Sequence, residues 1–382
     1  MDITTREIFR LFTSKGKYCD TFFVFDGKQF AENISRFTKA FENKFDKFEL
    51  AYSTKTNPHP IVLHAVKKSG SSIEIVSPYE YRLVKSIGFD DKDIIYNGVI
   101  PDYHYKYAVA LNGGKVNIEN ANEFKRIAIM AKSADVKLKV GIRLNVDLFG
   151  NCRRVSRFGI TPESEEFKEC VNLQNEHCRI AGVHLHVHGG RGLEMWDKRA
   201  ETVGRIAKEL DAEYIDFGSN LFGFMDDRLA NQFDEEIPSP EMYADVIHSR
   251  LSEIFLSIPK VIIEPGTPVV ANAVSLVGKV ENIFKRYDRH YATASCSIYD
   301  CGFFHGSDKK VPMDVIHVSS GEQVDKLKIY GYACTEDDIL CDSYTGRIAI
   351  GDWLVFNNLG AYAYSLSSDF IKKKPDFFQI NE

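Results

Sequence analysis

A chain of 382 residues with 44% hydrophobic residues and a formal charge of −6 is long enough for one large globular domain and a smaller companion, and nothing in its mild, dispersed acidity suggests a nucleic-acid surface. No window approaches the roughly 18 uninterrupted apolar residues of a membrane span, and Met1-Asp2-Ile3-Thr4-Thr5-Arg6-Glu7 lacks the pattern of a signal peptide. The expectation is a cytoplasmic protein with no membrane or nucleic-acid partner. Eight cysteines, at positions 19, 152, 170, 178, 296, 301, 334 and 341, show neither Cys-x-x-Cys pairs nor zinc-type spacing. In that compartment most are expected as small buried hydrophobes rather than disulfides. The basic run Lys372-Lys373-Lys374 reads as a solvated tail.

In chain order, the run Thr21-Phe22-Phe23-Val24-Phe25 closed by Asp26-Gly27 reads as a strand, and Phe30, Ile34, Phe37, Ala40 and Phe41 recur at helical spacing. Eight further β-rich runs follow: Phe48 to Thr54, Ser72 to Val76, Asp93 to Tyr96, Lys115 to Ile118, Lys137 to Leu144, Ala181 to Val187, Glu213 to Phe217 and Lys260 to Ile263. Helical stretches lie between them, near 59–69, 79–87, 103–111, 121–134, 163–174, 194–210 and 240–257, with starts at Ser77-Pro78 and at Thr161-Pro162 before Glu163. Eight alternations predict an α/β fold, a parallel (β/α)8 TIM-type barrel, over residues 26–266. From 267 to 382 the spacing turns to short β-rich runs, at Asn272 to Val280, Val315 to Ser319, Lys326 to Gly331 and Trp353 to Phe356. This predicts a C-terminal all-β domain completed by the N-terminal strand, so that 1–25 and 267–382 form one unit.

Barrel chemistry collects at the C-terminal ends of the strands. There the chain delivers Lys55, Glu74, Ser77, Asn97, Arg143, Asn145, the run His184-Leu185-His186-Val187-His188, the turn Gly218-Ser219-Asn220 and Glu264-Pro265-Gly266-Thr267. Lys55 stands out, because partial desolvation at a barrel mouth lets a lysine amine act as a nucleophile toward an aldehyde; otherwise it is an ordinary strand-end lysine reaching solvent. The Gly218 and Gly266 turns, with the hydroxyls of Ser219 and Thr267, offer a phosphate cradle or are simple turn geometry. His184, His186 and His188 alternate, which on a strand puts all three on one face and suits a metal-dependent hydrolase. A lysine, one histidine to stack on a ring, a glutamate for a ring nitrogen and a phosphate cup instead suit pyridoxal 5'-phosphate (PLP).

Tyr52-Ser53-Thr54-Lys55-Thr56-Asn57, Gly182-Val183-His184-Leu185-His186-Val187, Glu264-Pro265-Gly266, Gly331-Tyr332-Ala333-Cys334-Thr335-Glu336-Asp337-Asp338 and Gly360-Ala361-Tyr362 occur in that order. Together they resemble the motifs of the fold-type III PLP-dependent decarboxylases, the alanine racemase-type barrel family that includes ornithine, arginine and diaminopimelate decarboxylases. The sixth-strand motif is most similar to the diaminopimelate branch. The resemblance implies that Lys55 is the Schiff-base lysine, that His186 stacks on the cofactor and that Glu264 faces the pyridine nitrogen. It further implies that Arg143 and Glu74 support the cofactor, and that Tyr362 lies near the phosphate with Gly218, Ser219, Asn220, Gly266 and Thr267. Cys334 would cross a homodimer interface into the partner's site to reprotonate the substrate Cα.

Four departures bear on the substrate and the phosphate. The turn is Gly218-Ser219-Asn220 where three glycines are usual, Thr267 replaces an arginine, and Thr335 replaces the acid that grips a distal amino group. His188 replaces a glycine, and Glu336 stands one position beyond the usual acid. His188, Thr335 and Glu336 are therefore the candidate substrate contacts. The expected activity is decarboxylation of an L-amino acid or a derived metabolite, in siderophore, antibiotic or other specialised biosynthesis. A racemase or epimerase on the same cofactor, or a catalytically silent homologue, is the alternative within the family.

Overall fold

The alternation of β-branched runs with amphipathic stretches resolves into a closed barrel in the computed structural model, which describes residues 10, 19–150 and 156–381. Cys152 and the first residues, Met1 to Glu7, lie outside the described residues. Two units are defined: one of Ile34–Gly223 with Glu235–Pro268, the other of the chain up to Asn33, Phe224–Asp234 and Val269 onward. The segment Phe224–Asp234, inside the barrel range read from the sequence, thus groups with the β unit.

A first strand, β1 (Thr21–Asp26), precedes eight parallel strands. These are β2 (Phe48–Ser53), β3 (Ser72–Ile75), β4 (Ile94–Tyr96), β5 (Lys115–Ile118), β6 (Leu138–Arg143), β7 (Cys178–His184), β8 (Tyr214–Asp216) and β9 (Lys260–Ile263). They close in sequence order, with β9 returning to β2 through Phe48 opposite Val261 and Leu50 opposite Ile263. The helices are α1 (Gly27–Glu42), α2 (Pro60–Lys68), α3 (Pro78–Ile87), α4 (Tyr103–Leu111), α5 (Ala121–Ser133), α6 (Glu165–Asn172), α7 (Leu193–Glu209) and α8 (Pro240–Ile254), with further single turns elsewhere.

Several helix starts follow from one capping side chain. Ser77, Asn120 and Ser239 each accept a backbone N–H three residues on, and Pro78 and Pro240 take the position where no N–H is needed. The expected start at Thr161-Pro162 moves: Ser164 caps α6, because its hydroxyl accepts the N–H of Phe167 at 3.1 Å.

Inside the barrel, Tyr214 fills a space that two glycines leave open. A Cβ on Gly182 would lie 2.0 Å from its ring, and one on Gly141 would lie 2.4 Å from its hydroxyl. Ala51, Ile95 and Ile262 pack with it as an apolar layer below the mouth. A second structural pair lies outside the barrel lumen, where the fully buried Lys106 of α4 donates to Glu123 at 2.5 Å and to the carbonyl of Gly98 at 2.9 Å.

In the other unit a sheet runs β12-β15-β10-β11-β13-β14, built from β10 (Val274–Arg286), β11 (Arg289–Ala294), β12 (Met313–Ile316), β13 (Glu322–Tyr330), β14 (Ile339–Ile348) and β15 (Trp353–Phe356). β1 adds to β10 antiparallel and takes β16 (Asp376–Ile380) in parallel on its other side. Phe22, Val24, Val277, Trp353, Val355 and Ile380 form a core there. The Lys372–Lys374 run is not a free tail: Lys372 donates to the carbonyl of Ser295 at 3.1 Å and Lys374 to that of Tyr364 at 2.8 Å. No helix among the described residues is long and apolar enough to cross a membrane.

Candidate active site

Each barrel strand carries a polar residue at or within one position of its C-terminal end, and the short strands bring these residues together. Lys55 follows β2 on a single helical turn, Thr54–Thr56, with its side chain 39% exposed. Its ammonium donates to Glu74 at 2.7 Å and to the hydroxyl of Ser53 at 2.8 Å, and Ser53 donates to the same Glu74 oxygen at 2.7 Å. Asn97, just past β4, then bridges two carboxylates, donating to Glu74 at 3.3 Å and to Glu264 at 2.6 Å. Asn117 of β5 donates to Asn97 at 2.8 Å and to Asp216 at 3.1 Å. A continuous hydrogen-bonded line therefore runs from Lys55 across the mouth to Glu264.

Two buried carboxylates in this line divide one proton. Burial alone would raise both, but the ring of His184, 3.7 Å from Glu264, and the charge of Lys55 outweigh it and hold Glu264 well below the usual carboxylate range. At Asp216 burial, with the anion of Glu264 beside it, wins and pushes the carboxyl well above the ordinary value. Glu264 is the anion and Asp216 the acid. His184, Asp216 and Glu264 have ligand-type atoms within 4.8 Å of one another.

The three-histidine array does not form. β7 ends at His184, which pairs with Arg143 and Asp216 in the sheet, so Leu185 onward is loop and the period of two stops applying. His184 points into the buried line, His186 is half-buried in the loop and His188 is exposed. The metal reading fails with that geometry. Nδ1 of His186 accepts the N–H of Ser219 at 3.2 Å, which leaves the hydrogen on Nε2. Burial, reinforced by the charges of Lys55 and Arg143, holds this imidazole neutral, well below its ordinary pKa.

Arg143 is buried and donates to Glu119, whose other oxygen accepts the N–H of Gly159 at 2.8 Å, and its guanidinium lies 4.7 Å from the Phe158 ring. Glu119, one residue past β5, and Asn117 were not anticipated as site residues. Their signal is the strict alternation of Lys115-Val116-Asn117-Ile118-Glu119, which puts Lys115, Asn117 and Glu119 on one face of the strand. The glycine turn is less open than expected, since the N–H of Gly218 donates to Asp216 at 2.9 Å and that of Ser219 to His186. Gly266 is required by packing, because a Cβ there would lie 1.9 Å from the hydroxyl of Thr56, and Thr267 opens a single helical turn.

The remaining candidates belong to the β unit. Cys334, Thr335 and Glu336 are exposed on a loop built around the buried Asp338, which accepts the N–H groups of Ile298 and Ala333, both at 2.7 Å, and the hydroxyl of Ser297 at 2.9 Å. Gly331 is needed because a Cβ there would meet the same carboxylate at 2.4 Å. Thr335 shares a hydrogen bond with the Tyr299 hydroxyl at 3.2 Å. Tyr362 sits at φ 62° with its ring 4.6 Å from that of Phe303, and Gly360 is fixed by the carbonyl of Val270, 1.8 Å from where a Cβ would stand. The other described cysteines are buried or half-buried and unpaired.

A reactive amine, a carboxylate kept anionic in the interior and a neutral imidazole at one barrel rim fit the requirements of PLP: an attachment point, a partner for the ring nitrogen and a cover for the ring face. The fold and donor set define a barrel-type PLP enzyme. Residues 31–271 match the family model for the pyridoxal-binding domain of pyridoxal-dependent decarboxylases. The chain belongs to that family and is a PLP-dependent amino-acid decarboxylase.

Among curated proteins it is similar to the diaminopimelate decarboxylases of Methanothermobacter thermautotrophicus, at 27% identity over 93% of this chain and 85% of the relative, and of Aquifex aeolicus, at 24% over 91% and 83%. Of solved structures, a mutant diaminopimelate decarboxylase from Helicobacter pylori complexed with L-lysine matches with a TM-score of 0.81 at 20% identity, covering 99% of this chain and 94% of that one. The lysine/ornithine decarboxylase of Vibrio vulnificus complexed with putrescine matches at 0.80 and 19%, covering 100% and 99%. At these identities the solved structures establish the fold.

Proposed function

We propose that this chain is a homodimeric decarboxylase of an L-amino acid or an amino-acid-derived metabolite, in specialised biosynthesis such as that of a siderophore or antibiotic. Its place is the reducing cytoplasm, in keeping with the free cysteines among the described residues. The observation that carries the reading is the line Lys55–Glu74–Asn97–Glu264 at the barrel mouth. It couples the Lys55 amine to an interior anion through the Glu74 carboxylate, which accepts from both Lys55 and Asn97, and the neutral Asn97 amide, which donates to Glu74 and Glu264.

Lys55, Glu74, Arg143, His186, Glu264 and the Gly218–Asn220 and Gly266–Thr267 turns would hold the cofactor, and the motif resemblance adds Tyr362 for its phosphate. When bound, PLP supplies the electron sink for the pair left behind as carbon dioxide departs. Glu74 sits where it can take a proton from Lys55 Nζ, freeing the amine to react and later to release product. Glu264, held anionic, would keep a proton on the cofactor's ring nitrogen. Neutral His186, its orientation set by the N–H of Ser219, would stack against the cofactor without adding positive charge. Cys334 of the partner subunit delivers the proton to Cα as general acid.

His188, Thr335 and Glu336 contact the distal part of the substrate. With Thr335 bonded to Tyr299, that position carries no charge for a terminal ammonium, which favours a substrate other than ornithine, lysine or diaminopimelate.

Two measurements test this. Borohydride reduction of the loaded protein should attach the cofactor to the peptide bearing Lys55, read by mass spectrometry. Carbon dioxide release across a panel of L-amino acids and conjugates should then identify one substrate whose amine product appears in equal amount. Exchange or inversion at Cα with no carbon dioxide from any of them would overturn the reading.

A further inference from the structure

The loops after the seventh and eighth strands of such barrels commonly hold phosphate. Here those loops follow β8 and β9. The first has committed the amides of Gly218 and Ser219 to Asp216 and His186, and the second offers the hydroxyl of Thr267. A dianion at this place needs cationic charge from another element.

The loop after β7 supplies it, because this loop is stitched to the loop after β8 by three side chains. Asn220 donates to the carbonyl of Gly189 at 2.7 Å. Tyr243 of α8 donates to the carbonyl of Arg191 at 2.7 Å and accepts the N–H of Phe222 at 3.2 Å. Arg199 of α7 donates to the carbonyls of Gly189 at 2.8 Å, Gly190 at 3.0 Å and Ser219 at 3.3 Å. The stitching sets Arg191 beside the turn, its Nε donating to the Asn220 side chain at 3.3 Å and its guanidinium 5.1 Å from the Phe222 ring.

Arg199 adds an independent sign of an anion. It is fully buried, its Nε lacks a hydrogen-bond partner, its guanidinium stacks on Trp196 at 4.5 Å, and among the described residues no carboxylate pairs with it. Burial lowers its pKa only to about 10, so the charge persists at neutral pH. A fully buried cation whose neighbours are carbonyls is compensated best by an anion bound nearby.

We propose that Arg191, with the buried charge of Arg199 behind it, is the cationic anchor for the phosphate of the cofactor, in place of a basic residue at position 267. This rests on the reading of the site as PLP-binding. Arg191 is the contact residue, and Arg199 and Tyr243 are positioning residues that fix its loop.

The test is equilibrium titration of the apoenzyme with PLP and, separately, with pyridoxal, which has the same ring and aldehyde but no phosphate. Arg191→Gln should weaken PLP about tenfold or more and leave pyridoxal within about twofold of the wild type. It should also abolish the rise in apoenzyme melting temperature that inorganic phosphate gives, and Arg191→Lys should restore part of both. Equal affinities of Arg191→Gln and wild type for PLP, or an equal loss for PLP and pyridoxal, would overturn the assignment while leaving the enzyme's cofactor in place. A wild-type protein that takes up neither compound overturns the assignment and the reading beneath it together.

Discussion

Glu264 is the residue whose environment most constrains the chemistry, since it is buried yet anionic, held so by His184 and Lys55 while Asp216 keeps the proton. Replacing it with glutamine preserves the hydrogen bond from Asn97 in shape but removes the charge. Glu264→Gln should bind PLP at near wild-type affinity and lose about 10²–10³-fold in kcat, the scale of removing one electrostatic stabiliser; an unchanged kcat would remove Glu264 from the proton bookkeeping. Glu80 gives a pH signature at the same scale. Burial first, and then Glu74, raise its carboxyl from 4.5 to about 7, although its oxygen accepts the N–H of Val76 at 2.7 Å. A folded pKa above the unfolded one stabilises fully below the unfolded value and loses that stability as pH rises through the folded value. Glu80→Gln should therefore match wild type near pH 4.5 and become more stable than it by on the order of 2 kcal/mol at pH 8, measured by urea unfolding across that range.

Among elements, the barrel interior depends on two glycines facing Tyr214. Gly182→Ala in β7 puts a methyl into that ring. It should destabilise the protein by about 1–3 kcal/mol, the usual range for overpacking, read as a lower denaturant midpoint with an unchanged slope; a neutral result would mean that the barrel relaxes around Tyr214. The barrel elements were legible because each strand is a short apolar run and each helix carries an apolar stripe, so β2 through β9 fall within a few residues of their expected places. The β unit was less so. β11 and β14 escaped notice because their exposed sides read as polar stretches, Arg289-His290 in one and Asp342-Ser343 in the other. The histidine run misled for a related reason: alternation signals a strand only while the sheet continues, and β7 stops at its first histidine.

For the whole molecule, the motif residues divide between the two units, Lys55, His186 and Glu264 in the barrel and Cys334 and Tyr362 in the β unit. These residues were singled out in the sequence because a reactive group stands out at a strand end or in a spaced motif. Asn117, Glu119 and Arg199 were not singled out, since their contacts appear only when segments distant in sequence meet. The central claim is that a working site combines Lys55 of one subunit with Cys334 of the other. Lys55→Ala and Cys334→Ala homodimers should each be nearly inactive. Mixed and allowed to exchange subunits in equal amounts, they should recover about a quarter of wild-type carbon dioxide release, because half the dimers then carry one intact site of two. No recovery after exchange has been verified by native mass spectrometry would contradict the shared site.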